Sequence, residues 1–275
     1  MKGELKKFFA RDIMEKRRKN MENSGTNCEK FTGKADVYQK FRPGYPEELY
    51  EYLCKYYLPS GGAVADVGAG TGKFAEGFIR RNITTFCVEP NADMARVLKE
   101  NYGKYPNFRH IPSPAENICL PQGSVDLVTA AQAFHWFDGQ AFYACCRKIL
   151  KENGAVALIW NRRDRDEAEQ ALYALDMKYC ADKFKGRSGG IFNGDQSSLR
   201  EFFRRGYEEL RFENGAFSYT CDEFVGRRLS SSYALKESDA GYVGYVDALK
   251  EHFEKYAAFG KYVEHITTYL YLGRV

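Results

Sequence analysis

Residues 64–72, with the sequence VADVGAGTG, decide the fold of this chain. An apolar run typical of a buried strand is followed by three glycines at alternate positions, Gly68, Gly70 and Gly72. Glycine permits positive φ angles and lets the backbone approach a ligand within contact distance. Glu89 stands 21 residues after Gly68, at the end of the next predicted strand, where a carboxylate can accept hydrogen bonds from two ribose hydroxyls. This pattern predicts that a cofactor lies across a strand–loop–helix turn.

Short apolar runs alternate with helical patterns on both sides of this loop. Strands are predicted at residues 63–67, 84–88, 108–111, 125–130 and 155–160, and helices at residues 46–57, 71–81, 92–102 and 139–151. The runs AVADV and AVALIW are nearly continuous in apolar residues, which is typical of parallel strands covered on both faces. Two further strands, at residues 210–220 and 266–272, flank a helix at residues 242–256. We therefore predict an α/β fold with a doubly wound, mostly parallel seven-stranded sheet, helices on both faces and an antiparallel C-terminal strand.

The domain organisation is predicted from the place where this alternation stops. Residues 162–205, after the fifth strand, are polar, helical over residues 167–183 and then rich in glycine. We interpret this helical insertion as a lid over the carboxyl edge of the sheet, in preference to a separate small domain. Residues 1–30 are predicted to be a charged N-terminal arm, and residues 31–275 the main domain.

The composition is that of an ordinary globular protein, with 44% hydrophobic and 28% charged residues among 275. The sequence holds no run of about 18 apolar residues, and charges interrupt the N-terminus where a secretory signal needs an apolar core. We therefore expect a cytoplasmic protein that does not enter a membrane. Part of the net charge of +4 lies in the N-terminal arm, which is more typical of a solvated helix face than of nucleic-acid binding. The eight cysteines lack Cys-x-x-Cys spacing, so no metal site is predicted.

Two classes of cofactor use this strand–loop–helix geometry. A dinucleotide fingerprint requires G-x-G-x-x-G, whose third glycine lets the helix pack closely over a pyrophosphate. Here the spacing is G-x-G-x-G, and Lys73 occupies the position of the third glycine. The nicotinamide interpretation is weakened, although a nicotinamide-dependent oxidoreductase stays an alternative.

The segments DVGAGTG, at residues 66–72, and VEPNADM, at residues 88–94, resemble motifs one and two of the class I S-adenosylmethionine-dependent methyltransferases. Residues 113–118 (SPAENI) and 121–138 (PQGSVDLVTAAQAFHWFD) are similar to the methyltransferase type 11 branch, close to trans-aconitate methyltransferase-like proteins. Residues 31–46 resemble the entry segment of that branch. The resemblance implies a Rossmann-like methyltransferase fold, S-adenosyl-L-methionine as donor and S-adenosyl-L-homocysteine as product. It also implies methyl transfer to a small-molecule acceptor, a carboxylate or a hydroxyl.

The resemblance further implies which residues contact the donor. Asp66 would bind its ammonium group directly or through water, Gly68 and Gly70 would supply backbone contacts, and Glu89 would hold the ribose diol. The other implied contacts are Pro90 or Met94 at the adenine face, Ala115 and Glu116 at the adenine edge, the backbone carbonyl of Gln132 at the methionine moiety, and Tyr38 and Arg42 at the amino-acid end. Each residue also has a purely structural interpretation: Asp66 could cap the following helix, and Tyr38 and Arg42 could be surface residues.

His135 follows the fourth strand at the carboxyl edge, where substrates of such sheets bind. A histidine there can take a proton from a substrate hydroxyl or amine at neutral pH, whereas a carboxylate acceptor needs only desolvation and alignment. His135 is therefore either a catalytic base or a scaffold residue that hydrogen-bonds a loop. The predicted lining of the substrate pocket is Phe134, Trp136, Arg162 and Tyr233.

Three arginines, Arg162, Arg163 and Arg165, come directly after the fifth strand. By analogy with trans-aconitate methyltransferases they would suit an acidic acceptor, through bidentate pairing, although they could equally be solvated. Besides the oxidoreductase, an RNA methyltransferase recruited by the basic arm and a non-catalytic cofactor-binding protein stay open as alternatives.

Overall fold

The computed structural model describes residue 35, residues 42–181 and residues 196–275. The strands are β1 (Ala63–Val67), β2 (Thr84–Val88), β3 (Phe108–Ile111), β4 (Val125–Ala131), β5 (Leu150–Arg163), β6 (Glu208–Tyr219) and β7 (Tyr262–Gly273). The helices are α1 (Glu47–Tyr57), α2 (Ala75–Ile79), α3 (Ala92–Tyr102), α4 (Gly139–Ile149), α5 (Glu167–Cys180), α6 (Ser197–Phe202), α7 (Cys221–Leu229) and α8 (Tyr242–Tyr256). The predicted arm at residues 1–30 and Tyr38 lie outside the described residues.

The strands form one seven-stranded sheet in the order β3-β2-β1-β4-β5-β7-β6. The first five strands are parallel, and β7 is antiparallel to both of its neighbours, β5 and β6. The predicted α/β fold class, with its antiparallel C-terminal strand, is therefore confirmed. Strand order reverses between β1 and β4, and the crevice at such a reversal is where open α/β sheets bind ligands.

Helices cover both faces of the sheet, and the residues of β1 show this. All five residues of β1 are buried, and neighbouring side chains point to opposite faces. Val64 packs in one apolar cluster with Leu53 of α1 and Phe78 of α2. Ala65 packs in another with Phe142 of α4. Four of the five residues of β1 are apolar because helices lie on both sides, and Asp66, near the carboxyl end of the strand, is the exception.

Three helices form a helical cap, defined here as residues 167–180, 221–229 and 242–256, which are α5, α7 and α8. They share an apolar cluster of their own, centred on Leu172, Phe224 and Tyr245. The cap lies at the carboxyl edge, since α5 follows the end of β5 and α7 follows the end of β6. By contrast α6, which falls within the predicted lid at residues 162–205, packs in the sheet core through Leu199. Within the part of the chain that is described, every helix is too short or too polar to traverse a bilayer.

The structure differs from the predicted elements in two helices that were not predicted and in the bounds of several others. Helix α2 begins at Ala75, four residues later than predicted, because Gly72 has a φ of +89° that no α-helix accommodates. Strand β5 extends from Leu150 to Arg163 instead of 155–160, since its last residues pair with β7. Helices α6 and α7 were not predicted.

Candidate active site

The glycine loop after β1 is tightly packed at one end and open in its middle. A Cβ atom built on Gly68 would lie 2.7 Å from the Cβ of Ala133, so a side chain there would collide with the chain that follows β4. A Cβ on Gly70, whose φ is +56°, would meet no atom within 4 Å. Next to this opening the hydroxyl of Thr71 is fully buried, and no described residue hydrogen-bonds to it. The loop thus presents backbone and a buried hydroxyl to an open space, as a ligand cradle does.

Glu89, at the end of β2, is bonded directly to this loop. Its Oε2 accepts a hydrogen bond of 2.8 Å from the backbone N–H of Gly70, and its Oε1 accepts one of 2.7 Å from the N–H of Asn91. The side chain is only 7% exposed, and burial raises its pKa to about 7 although both backbone bonds lower it. Each oxygen keeps a lone pair for a further donor, because a carboxylate oxygen can accept two.

Asp66 is a second buried carboxylate, one strand away from Glu89. Its Oδ1 accepts a hydrogen bond of 2.6 Å from the hydroxyl of Thr129 in β4. Burial raises its pKa to about 7, the hydrogen bond from Thr129 lowers it, and nearby Glu89 raises it. The structure thus brings two carboxyl groups with elevated pKa values together below the glycine loop.

Gln132, directly after β4, has a left-handed backbone with a φ of +58°. Such angles are uncommon outside glycine, and strained residues of this kind cluster at functional sites. Two bonds to β5 hold the residue: its N–H donates to the carbonyl of Ile159 at 2.8 Å, and its Nε2 donates to the carbonyl of Asn161 at 3.1 Å. The Gln132 turn is therefore fixed at the switch point between β1 and β4.

The residues expected to contact the adenine differ in exposure and in the contacts they already make within the fold. Pro90 is exposed, whereas Met94 is 3% exposed and packs with Ala35 and Val97. Ala115 is buried. The carboxylate of Glu116 accepts a hydrogen bond of 2.9 Å from the N–H of Asp138, the residue that caps α4. The side chains of Met94 and Glu116 are thus already engaged within the fold.

Arg42 contacts Ser230, the residue directly after helix α7 of the cap, 188 residues later in the chain. Its Nε donates to the hydroxyl of Ser230 at 3.2 Å and its Nη2 donates to the carbonyl of Ser230 at 3.4 Å. The Ser230 hydroxyl in turn donates to the carbonyl of Arg227 at 2.6 Å. The segment before α1 and the end of α7 are therefore in contact above the sheet.

Residues 134–136 form a short 3₁₀ helix after β4. Phe134 is 4% exposed, and its ring packs 5.0 Å from that of Phe202, so its bulk belongs largely to the core. The rings of His135 and Trp136 are half-buried, with centroids 4.8 Å apart. A cavity of about 250 Å³ beside His135 is also lined by Glu201 and Phe202 of α6 and by Arg204, two residues after this helix.

The three arginines after β5 have different environments. Arg162 is half-buried, with its guanidinium 4.9 Å from the ring centre of Tyr269. Arg163 forms ion pairs of 3.1 Å with Glu169 in α5 and with Glu264 in β7. Arg165 is exposed. Arg163 is therefore committed to a structural ion-pair chain that continues to Arg227, 2.8 Å from Glu264.

Tyr233, predicted to line the pocket, is half-buried and its hydroxyl joins a polar network in the cap. Its hydroxyl donates to Asp176 and accepts from Arg228, both at 3.0 Å. Asp176 and Arg228 are fully buried and form an ion pair. Sequence reasoning did not predict this network, because its partners lie on different helices and no local pattern joins them.

Tyr219, at the end of β6, is a further candidate site residue. Because β6 runs parallel to β5, Tyr219 lies at the same edge of the sheet as the glycine loop. It is 8% exposed, and its hydroxyl has no hydrogen-bond partner among the described residues. The guanidinium of Arg227 lies 5.9 Å from its ring centre. Because Arg227 is already paired with Glu264, the feature that suits a ligand here is the buried hydroxyl itself, which needs a polar partner.

A comparison with known proteins identifies the family. A model described as a methyltransferase domain matches residues 65–158, from β1 into β5. A protein named as an uncharacterized methyltransferase in Schizosaccharomyces pombe is 30% identical over 209 residues, which cover 74% of this chain and 78% of that protein. The chain belongs to the class I S-adenosylmethionine-dependent methyltransferase family, in its type 11 branch.

Other relatives match over a shorter stretch. A methyltransferase-named protein of Dictyostelium discoideum is 35% identical over 133 residues, 48% of this chain and 49% of that protein. One from Mycobacterium tuberculosis is 34% identical over 135 residues, 49% of this chain and 53% of its own length. The chain thus spans about half the length of these relatives. Closeness to trans-aconitate methyltransferases stays a prediction.

Solved structures agree with the fold. A protein from Anaeromyxobacter dehalogenans, assigned to the type II methyltransferases, superimposes with a TM-score of 0.61 at 23% identity. The match covers 85% of this chain and 98% of that one. The seven-stranded sheet with one antiparallel strand is therefore the Rossmann-like methyltransferase fold.

The raised pKa of Glu89 predicts how stability depends on pH. Its folded-state pKa of about 7 lies above the ordinary value of 4.5, so the folded protein binds this proton more tightly than the unfolded chain. Between these values stability falls as pH rises. We expect wild type to lose about 3 kcal/mol relative to Glu89→Gln between pH 4.5 and 7, at 1.36 kcal/mol per pKa unit. Urea unfolding of both proteins at several pH values measures this, and a pH-independent difference would contradict it.

Proposed function

We propose that this chain transfers the methyl group of S-adenosyl-L-methionine to a small-molecule acceptor, releasing S-adenosyl-L-homocysteine. The observation that carries the proposal is the hydrogen bond of 2.8 Å between Gly70 and Glu89. It presents a buried carboxylate beside an open stretch of glycine backbone at the switch point of the sheet. The buried, unpartnered hydroxyl of Thr71 also fits a ligand that supplies polar groups at this place.

The donor would be held by the residues that frame this opening. Glu89 would accept hydrogen bonds from the two ribose hydroxyls, and the open backbone at Gly70 would contact the ligand directly. Asp66 would attract the ammonium group, directly or through water. The remaining proposed contacts are Gly68, Pro90, Met94, Ala115, the backbone N–H of Glu116, the carbonyl of Gln132, Tyr38 and Arg42.

The chemistry requires alignment more than acid–base work. The donor supplies a methyl group already activated by a positively charged sulfur. The chain must hold the acceptor oxygen in line with the carbon–sulfur bond and keep water out. The backbone carbonyl of Gln132 would hold the methionine moiety of the donor. The helical cap at the carboxyl edge of the sheet would bury the acceptor.

A carboxylate or a hydroxyl is proposed as the accepting group. The unpartnered hydroxyl of Tyr219 favours an acceptor with a polar group, and half-buried Arg162 at the end of β5 adds a cation that suits negative charge. Phe134 and Trp136 would contribute apolar walls, whereas Tyr233 would support the pocket through Asp176. The relatives reported above are named as methyltransferases, and none of them supports an oxidoreductase.

The role of His135 depends on which oxygen accepts the methyl group. A hydroxyl must lose its proton as the new carbon–oxygen bond forms, whereas a carboxylate has none to lose.

We expect His135→Ala to keep its affinity for S-adenosylhomocysteine while lowering turnover of hydroxyl acceptors by about 100-fold, the range of general base catalysis. Turnover of carboxylate acceptors should change only a few-fold. The assay follows release of S-adenosylhomocysteine from S-adenosylmethionine across a panel of carboxylates, alcohols and amines. If the wild-type protein binds the donor but transfers a methyl group to no member of the panel, the proposed activity on these classes is contradicted. A parallel loss of donor affinity would remove His135 from the proton-transfer role.

A further inference from the structure

One residue near the end of β5 joins several segments that surround the proposed donor site, through its side chain and its backbone carbonyl. Asn161 donates from Nδ2 to the carbonyl of Gly44 at 2.9 Å. Its Oδ1 accepts from the hydroxyl of Thr268 at 2.6 Å and from Nδ2 of Asn214 at 3.2 Å. Its backbone carbonyl accepts from Nε2 of Gln132 at 3.1 Å. The same residue therefore contacts the segment before α1, both C-terminal strands and the turn after β4.

The bond to Gly44 restrains Arg42, two residues earlier. Pro43 lies between them, which fixes its own φ and restricts the residue before it to extended conformations. Nδ2 of Asn214 also donates to the Gly44 carbonyl, at 2.9 Å. Holding this carbonyl therefore sets the direction in which Arg42 leaves the sheet and reaches the cap.

The bond to Gln132 acts on the other side of the site. The left-handed backbone of Gln132 is held by the hydrogen bond from its N–H to the carbonyl of Ile159. The hydrogen bond from its side chain to the backbone carbonyl of Asn161 adds a second restraint, two residues further along β5. A strained conformation persists only when its surroundings over-determine it. Asn161 is thus a common support for the turn at Gln132 and the segment that carries Arg42.

We infer that Asn161 is a positioning residue that sets the separation between Gln132 and Arg42, and so the fit of the amino-acid end of the donor. The inference rests on the proposed function, in which these two residues contact that end. Asn161 itself contacts no part of the donor in this assignment. The groups at the ribose, above all Glu89, have no contact with Asn161, so the adenosine end is independent of it.

Two ligands report separately on the two ends of the donor site. S-adenosylhomocysteine has both the adenosine and the amino-acid part, whereas 5′-methylthioadenosine has the adenosine and lacks the amino-acid part. Asn161→Ala in the full chain loses three side-chain bonds, including the one that holds the Gly44 carbonyl, and keeps the backbone carbonyl that accepts from Gln132. We expect it to bind S-adenosylhomocysteine about tenfold more weakly, the size of effect of one or two hydrogen bonds, because Arg42 is no longer held in place. Binding of 5′-methylthioadenosine should stay within about twofold of wild type. Calorimetric titration of both ligands gives the ratio.

Two further variants make the test specific. Asn107→Ala is a matched control, because Nδ2 of Asn107 also joins two backbone carbonyls, those of Ile79 and Ile83, at 2.9 and 2.8 Å. It should lower stability and leave the ligand ratio unchanged. Thr268→Val removes only the bond to Oδ1 of Asn161, so it should shift the ratio in the same direction by a smaller factor. It also serves as the test if Asn161→Ala does not fold.

The outcomes distinguish this inference from the proposed function. If Asn161→Ala binds both ligands more weakly by the same factor, or binds S-adenosylhomocysteine with unchanged affinity, the positioning role is overturned. The proposed methyl transfer is not affected by either result. Failure of the wild-type chain to bind S-adenosylhomocysteine would contradict the proposed function, and with it the basis of the inference.

Discussion

Glu89→Gln is expected to weaken binding of S-adenosylhomocysteine by about 10- to 150-fold, which is the 1.5–3 kcal/mol typical of hydrogen bonds to charged groups. The glutamine is nearly isosteric, yet it has one acceptor oxygen where the carboxylate has two. Both oxygens of Glu89 accept backbone N–H groups, those of Gly70 and Asn91. In the variant one of these donors would face an NH₂ group, and the charge that holds the ribose hydroxyls would be lost.

A matched control lies at the opposite edge of the sheet. Asp126 is also a buried carboxylate, and its Oδ2 accepts from the N–H of Ala63 at 2.9 Å and from Nζ of Lys151 at 2.8 Å. Asp126→Asn should therefore reduce stability without changing affinity for S-adenosylhomocysteine. Calorimetric titration of both variants, with circular dichroism to verify folding, makes the comparison. Wild-type affinity in a folded Glu89→Gln protein would remove Glu89 from the donor site.

Asp176→Ala is expected to have the largest effect on stability, a loss of about 3–5 kcal/mol, because it leaves a buried charge without its partner. Asp176 and Arg228 are both fully buried. Asp176 accepts hydrogen bonds from Arg228, from the Tyr245 hydroxyl at 2.8 Å and from the Tyr233 hydroxyl at 3.0 Å. Nε and Nη1 of Arg228 have no partner among the described residues, so no second anion there compensates for the loss.

Urea unfolding measures this prediction, and an exposed ion pair provides the control. Glu76 lies 2.6 Å from Arg80 on the surface of α2, and Glu76→Ala should cost less than about 1 kcal/mol. A double variant, Asp176→Leu with Arg228→Met, should regain part of the lost stability, because it removes both charges together. A loss below about 1 kcal/mol for Asp176→Ala would show that the pair does not hold the cap together.

The elements that sequence predicted best are those with a local cause. Strand β1 was predicted with its observed bounds because its apolar run is interrupted only by Asp66, and Glu89 follows β2 as the spacing requires. Helix α7 carried a local signal as well, since Thr220 and Glu223 form a capping box. That signal was missed because the segment before it was interpreted as the end of a strand.

The parts that could not be predicted depend on partners far apart in the chain. Nothing near Arg163 indicates that it pairs with Glu264, about a hundred residues later in β7. The same holds for Asp176 and Arg228, which lie 52 residues apart. A run of arginines after a strand therefore predicts charge at the carboxyl edge, while tertiary packing decides which arginine is committed to a buried ion pair.

Phe134 illustrates the same limit for the substrate pocket. Its place after β4 predicts a position near the acceptor, and it does border the cavity beside His135. Its ring is nevertheless taken up by the core contacts with Phe202 and Trp160. Sequence position specifies the edge of the sheet, whereas the direction of each side chain depends on how α6 packs against it.

The central claim is that the glycine loop and Glu89 bind S-adenosylmethionine, and calorimetric titration with S-adenosylhomocysteine beside NAD tests it most directly. The predicted result is saturable one-to-one binding of S-adenosylhomocysteine in the micromolar range, with no heat from NAD. Binding of NAD, or of neither compound, by the folded protein would contradict the claim.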